Sequence, residues 1–152
     1  MQTVRKLRKR SGFTLVELLI VIIIIGILAG AMLLVAGSGT DSAEATKVIS
    51  NLRGLKSAAL LYYADNSSNP TEPTIADLEK YMDRDLESTD YAVETVSDDW
   101  WIGHIAAKTD GVEGKLADKA EDVGLFAGTA TAPTTPATKY VAGNDNVWIK
   151  AR

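Results

Sequence analysis

Between Phe13 and Ala36 the chain runs for 24 residues with a single charge, Glu17; the rest is Leu, Ile, Val, Ala, Met and Gly with Phe13 and one Thr. As a helix, at ~1.5 Å per residue, that stretch is roughly 36 Å long, against a bilayer hydrocarbon core of about 30 Å. It is therefore predicted to span a membrane with some tilt. Val35-Ala36-Gly37 has the small residues of a signal cleavage site. The run is nevertheless too long for an ordinary secretory signal, so it is expected to stay with the protein.

Charge divides the chain at the same place. Arg5, Lys6, Arg8, Lys9 and Arg10 precede Gly12 with no acidic residue among them, and the overall −4 hides a following segment of 11 basic and 20 acidic side chains. Positive charge beside the apolar run predicts a single-pass protein of the inner (cytoplasmic) membrane, with the N-terminus cytoplasmic and the remainder exported. The acidic remainder argues against nucleic acid as a partner, because phosphate binding needs clustered Lys and Arg. With no cysteine, neither a disulfide framework nor a thiolate metal site is available.

Glu17 is costly where it stands: a carboxylate deep in a bilayer costs about 2.5–3.5 kcal/mol. One reading keeps it among the headgroups, within about a turn of the boundary. Its surroundings offer another. The segment Lys9-Arg10-Ser11-Gly12-Phe13-Thr14-Leu15-Val16-Glu17-Leu18-Leu19-Ile20-Val21 resembles the N-terminal signature of type IV pilins and type II secretion pseudopilins. The resemblance implies a leader, residues 1–12, that a prepilin peptidase removes between Gly12 and Phe13 before the new amine of Phe13 is methylated. Residues 13–36 then form a transmembrane and filament-core helix, and residues 37–152 an exported domain. Gly12 has no side chain to obstruct a protease. Glu17 matches the family's acidic residue, whose partner is the Phe13 amine of a neighbouring subunit, although an internal Phe13–Glu17 pair is also open. Gly26 and Gly30 read as ordinary transmembrane glycines or a close-packing face. The resemblance adds a helix that loosens there on assembly, although Leu34 stands where many pilins have proline.

Downstream, Gly37-Ser38-Gly39 reads as a breaker and Asp41 with Glu44 as a capping box. The helix either restarts near Asp41 or continues, and the resemblance favours continuation. Val48, Leu52, Leu55, Ala59 and Tyr62, with Ile49 and Tyr63 beside them, make a helical stripe expected to face a core, with Lys47, Asn51 and Arg53 off it. Residues 65–70 are a polar stop. Thr74 with Asp77 caps a short helix carrying Ile75, Leu78 and Met82. Strands are expected at Tyr91–Val96, Trp100–Ala106 and Asn146–Lys150, the first two joined around Ser97-Asp98-Asp99. Residues 115–123 read as a short surface helix and 129–139 as a loop without a packed core. The fold class is α+β: a long N-terminal helix, transmembrane and then amphipathic, laid on a small antiparallel sheet.

Nothing here reads as an enzyme. The single His, His104, is expected on a polar strand face, and no nucleophile motif or phosphate-cradling loop occurs. Asp98-Asp99, Asp110 to Glu113 and Asn144-Asp145-Asn146 offer oxygens of the kind calcium takes, but such clusters mostly form turns, and no metal or cofactor is assigned. The expected function is a structural subunit of a type IV pilus, a cell-surface homo-polymer served by the peptidase, methyltransferase and pilus assembly machinery. The alternatives are a periplasmic pseudopilin of a type II secretion system and a membrane-anchored binding module. The major pseudopilins carry glycine-rich, calcium-binding C-terminal segments with a Trp near the end, which Asp110 to Gly114 and Trp148 echo only faintly.

Overall fold

The computed structural model describes residues 12–68, 70–128, 131–133 and 138–152. The chain divides into two compact units, 1–37 and 38–152. Helix α1 covers Leu15–Asp65. In the first unit its side chains are exposed in the single chain from Leu15 to Leu33. This is the surface a membrane or a neighbouring subunit would cover. Gly37-Ser38-Gly39 does not break the helix, and Asp41 and Glu44 lie inside it, which corrects the expected capping box. A helix tolerates glycine at about 1 kcal/mol each, less than the packing that follows supplies.

In the second unit, α1 contributes the expected stripe. Ala45, Val48, Leu52, Leu55 and Ala59 are buried, and Tyr62 and Tyr63 pack partly against them. Asn51, expected to face solvent, is only 4% exposed. Its Nδ2 donates to the Tyr91 hydroxyl at 2.8 Å, which satisfies a polar group that burial would otherwise penalise. Helix α2, Ile75–Glu79, has the expected reciprocal cap: Asp77 N donates to Thr74 Oγ1 and Thr74 N to the Asp77 carboxylate. Met82 lies beyond its end.

A single 3₁₀ turn, Ser88–Asp90, leads into strand β1, Tyr91–Val96, which pairs with β2, Asp99–His104. Ser97 and Asp98 form the two-residue loop, with φ of 53° and 69°. Two left-handed residues are the mark of a type I′ turn, whose twist matches that of the strands. Helix α3, Asp110–Val123, starts earlier than expected, at the Thr109 cap, and ends at left-handed Gly124. It is no surface helix, for Val112, Leu116 and Ala120 are buried in the core. Asp41 meets its N-terminus: the carboxylate packs on Gly111 and accepts from Thr109 Oγ1 at 3.4 Å. Negative charge is favoured there.

Strand β3, Leu125–Gly128, is an addition to the expected elements, and β4 is Asn146–Lys150. The sheet is antiparallel in the order β1-β2-β4-β3. Alternation gives it two faces. Trp100, Ile102, Val147 and Ile149 join the core with α1, while Trp101 and Trp148 meet Phe126 and Ala132 on the other side. Ala132 is 4% exposed, so the segment expected to lack a core packs at this point; residues 129, 130 and 134–137 lie outside the described ones. Gly103 pairs with Trp148, and a Cβ on Gly103 would stand 2.7 Å from the indole carbons. The glycine makes room for the ring.

His104 departs from expectation, being 7% exposed on the core face beside Tyr91. Burial, helped by the Lys108 charge and opposed by Asp90, lowers its pKa from 6.5 to about 4. The unfolded chain therefore binds more protons than the folded one between those values. Stability from a neutral His104 is complete above pH 6.5 and is lost as pH falls toward 4. Asp77, held to about 2 by Lys80 and Thr74, titrates below that window. The loss should be on the order of 2 kcal/mol, because the ring borders an open cavity that screens part of the cost. Thermal melts of the full chain in detergent at pH 7 and pH 4.5 should show it, and His104→Gln should flatten the dependence; an unchanged slope in that variant would assign it elsewhere.

Candidate assembly site

The residues singled out at the start of the apolar run share one helical turn. Gly12, Phe13 and Thr14 are non-helical, and α1 begins at Leu15. Thr14 and Glu17 bond reciprocally. Thr14 N and Oγ1 donate to Glu17 Oε2 at 2.8 and 2.9 Å, and Glu17 N donates to Thr14 Oγ1 at 3.2 Å. This is a capping box. It satisfies one of the orphan amides of the first turn and places a carboxylate where the helix dipole favours it. Both Thr14 donors use the same carboxylate oxygen, and Oε1 has no partner among the described residues.

The cap is a role for Glu17 that the sequence reading missed. Its signal was present: Thr14 to Glu17 has the same spacing as the cap correctly read at Thr74 and Asp77. The apolar residues around it drew attention to the cost of the charge and away from its local geometry. Phe13 is 84% exposed and stands one residue before the cap. The leader, Met1 to Ser11, lies outside the described residues. Gly26 and Gly30 are in regular helix, and a Cβ on either would meet nothing within 4 Å. Their bare faces are thus open in the single chain, and no loosening is present in this state.

The carboxylate clusters are dispersed. Asp98 is in the hairpin loop, Asp110 to Gly114 form the first turns of α3, and Asp145 precedes β4. Among the described residues no three His, Cys, Asp or Glu side chains are grouped to hold a metal ion.

The family described as the prokaryotic N-terminal methylation motif matches residues 7–33, which include Gly12, Phe13, Thr14 and Glu17. Type II secretion system core protein G of Vibrio cholerae serotype O1 is 36% identical over 67 residues, covering 44% of this chain and 46% of the relative. Those of Klebsiella michiganensis and Pseudomonas aeruginosa are 41% and 34% identical over 64 residues, each covering 42% of this chain and 45% of the relative. The similarity to the type IV pilin and pseudopilin family lies in the N-terminal region. It spans less than half the length of these curated relatives. No solved structure matches it significantly.

The similarity is to secretion-system proteins, in line with the pseudopilin alternative rather than with the pilus subunit first expected. Asp110 to Gly114 is helical, and Trp148 is a buried strand residue. Membrane anchoring agrees with α1, which contains a window of mean hydropathy 3.3, apolar enough to cross a bilayer.

The Thr14 cap carries a prediction. A helix N-cap is worth about 1 kcal/mol, so Thr14→Val should speed amide hydrogen exchange at residues 16–18 by about fivefold in micelles. Exchange equal to wild type would mean that the cap does not hold the helix start.

Proposed function

We propose that this chain is the precursor of a pseudopilin, a structural subunit that polymerises in a type II secretion system and performs no catalysis itself. The observation that carries the reading is the methylation motif, together with the similarity to core protein G. In this account a prepilin peptidase cuts between Gly12 and Phe13, and the Phe13 amine is methylated. The helix from residue 13 to 36 holds the subunit in the inner membrane, N-terminus cytoplasmic, with the domain from residue 37 onward in the periplasm. Assembly machinery then draws it into a homo-polymer through that helix.

Cleavage turns the Phe13 nitrogen from an amide into a basic amine beside the Thr14–Glu17 cap. Since the cap occupies Oε2, Oε1 is free to accept from the amine of a neighbouring subunit. Both charges would be buried by the assembled helices, and each neutralises the other. Such a pair sets register, because an axial slip leaves both ions alone. Gly26 and Gly30, without side chains, are where neighbouring helices can approach closely or where α1 can loosen during assembly.

Two experiments test this. Deleting the gene in its native host should abolish export of secreted enzymes while leaving surface filaments intact; loss of surface filaments with normal export would restore the pilus reading. Glu17→Leu should leave cleavage and membrane insertion normal and give few or no filaments. Removing one member of a buried ion pair costs about 3–5 kcal/mol, repeated at each added subunit, although loss of the amine's proton softens it. Wild-type filament yield from this variant, with cleavage confirmed by intact mass, would exclude the pair as an assembly determinant.

A further inference from the structure

Among the described residues of the second unit, the large apolar side chains left exposed are Leu60 at 46%, Leu61 at 53%, Ile105 at 38% and Val141 at 54%. They are not scattered singly, as ordinary surface apolar residues are. Leu60 and Leu61 adjoin on α1. Ile105 and Val141 belong to two segments that Lys108 ties together, its Nζ donating to Ala106 O at 2.9 Å and to Asp145 O at 2.6 Å. The two pairs lie at opposite ends of the sheet. Tyr62 and Tyr63, next to the leucines, pack on Trp100 near the start of β2, and Ile105 follows that strand's end. Along the strand, Trp100 to Ile105 is about 17 Å.

The patches differ in charge. By helical spacing, Arg53, Ser57 and Ala64 share an outward face of α1 with Leu60 and Leu61, and all five are exposed. Every charge on α1 from Ala45 to Ala64 is positive, and none of Lys47, Arg53 and Lys56 forms an ion pair among the described residues. The other patch has an acidic rim. Asp145 is exposed in the same loop as Val141, and Glu113 accepts from Gly143 N at 2.9 Å. Lys108 offsets part of that charge, but it is half-buried and engaged by the two carbonyls. The loop is also held by the Tyr140 hydroxyl, which donates to Asn144 O at 3.2 Å. A loop fixed in this way loses little freedom on binding.

Such patches fit each other better than themselves. Isologous pairing would set Arg53 against Arg53 and Asp145 against Asp145, whereas head-to-tail pairing joins opposite charges and repeats as an open chain. We propose that Leu60 and Leu61 of one copy dock on Ile105 and Val141 of the next, so that the second units touch along the polymer. The inference rests on the proposed function, because two apolar side chains on each partner are too little to hold an interface alone. Joined already through α1, the second units meet at high effective concentration.

The chain has no cysteine, so introduced ones report without background. The full chain carrying Leu61→Cys and Val141→Cys is expressed in its native host and treated with a short bismaleimide. Docking predicts a ladder of dimers, trimers and higher species, because each chain bears both groups; either single variant gives at most a dimer. Filaments that are visible by electron microscopy yet yield no ladder would overturn the docking and leave the polymer reading standing. Absence of filaments from the wild-type chain would overturn both. A second pair covers the case in which the cysteines impair assembly. Leu61→Glu and Val141→Lys should each cut filament yield by about fivefold or more, since each sets a charge against an apolar partner, and together they should restore most of it. Unchanged yield from the single variants, or loss without rescue in the double one, would overturn the proposal.

Discussion

One carboxylate in an otherwise uncharged run of apolar helix is the constraint on which the rest depends. Removed from water, Glu17 must be matched by hydrogen bonds, by a positive charge, or by both. The fold supplies the hydrogen bonds locally, because Thr14 stands three residues earlier and reaches back with both its amide and its hydroxyl. Those bonds start the helix, and they use one oxygen of two. A side chain that looked like a liability to insertion is thus a structural part of the helix terminus, with capacity left for a partner the single chain does not contain.

The second unit is held together without disulfides. Its sheet is covered on both faces. The stripe of α1, with α2 and α3, fills one side, and an indole-centred cluster fills the other. Trp148 fits because Gly103 opposite it has no side chain. Surface ion pairs such as Lys139 with Glu121 add little, being solvent-exposed. Burial of apolar and aromatic surface, with Asn51 and Tyr91 satisfying each other, carries the stability.

Legibility in the sequence followed the strength of the local signal. The apolar helix, the α1 stripe, the Thr74 cap and the β1–β2 hairpin depend on periodicity and turn chemistry within a few residues, and each was readable. What was missed depends on contacts distant in sequence. Asn51 falls off the apolar stripe yet is buried, because Tyr91, 40 residues away, offers its hydroxyl. His104 looks like a surface polar residue until the alternation of β2 puts it on the core face. Strand β3 is four residues long and owes its pairing to β4, which no local pattern announces. At the start of α1 one role was not read: Glu17 was taken through its cost, and the cap three residues back was overlooked.

The central claim is that the carboxylate of Glu17 meets the Phe13 amine of an adjacent subunit. Solid-state NMR on filaments assembled from an equal mixture of 15N-Phe and 13C-Glu subunits isolates that contact, because each labelled atom then sits on a different chain. The account predicts a dipolar coupling between the N-terminal amine and the Glu17 carboxyl carbon, corresponding to a separation of about 4 Å or less, the range of an ion pair. A coupling that is absent from the mixture and appears only when both labels are on one chain would contradict it, by placing the pair within a single subunit.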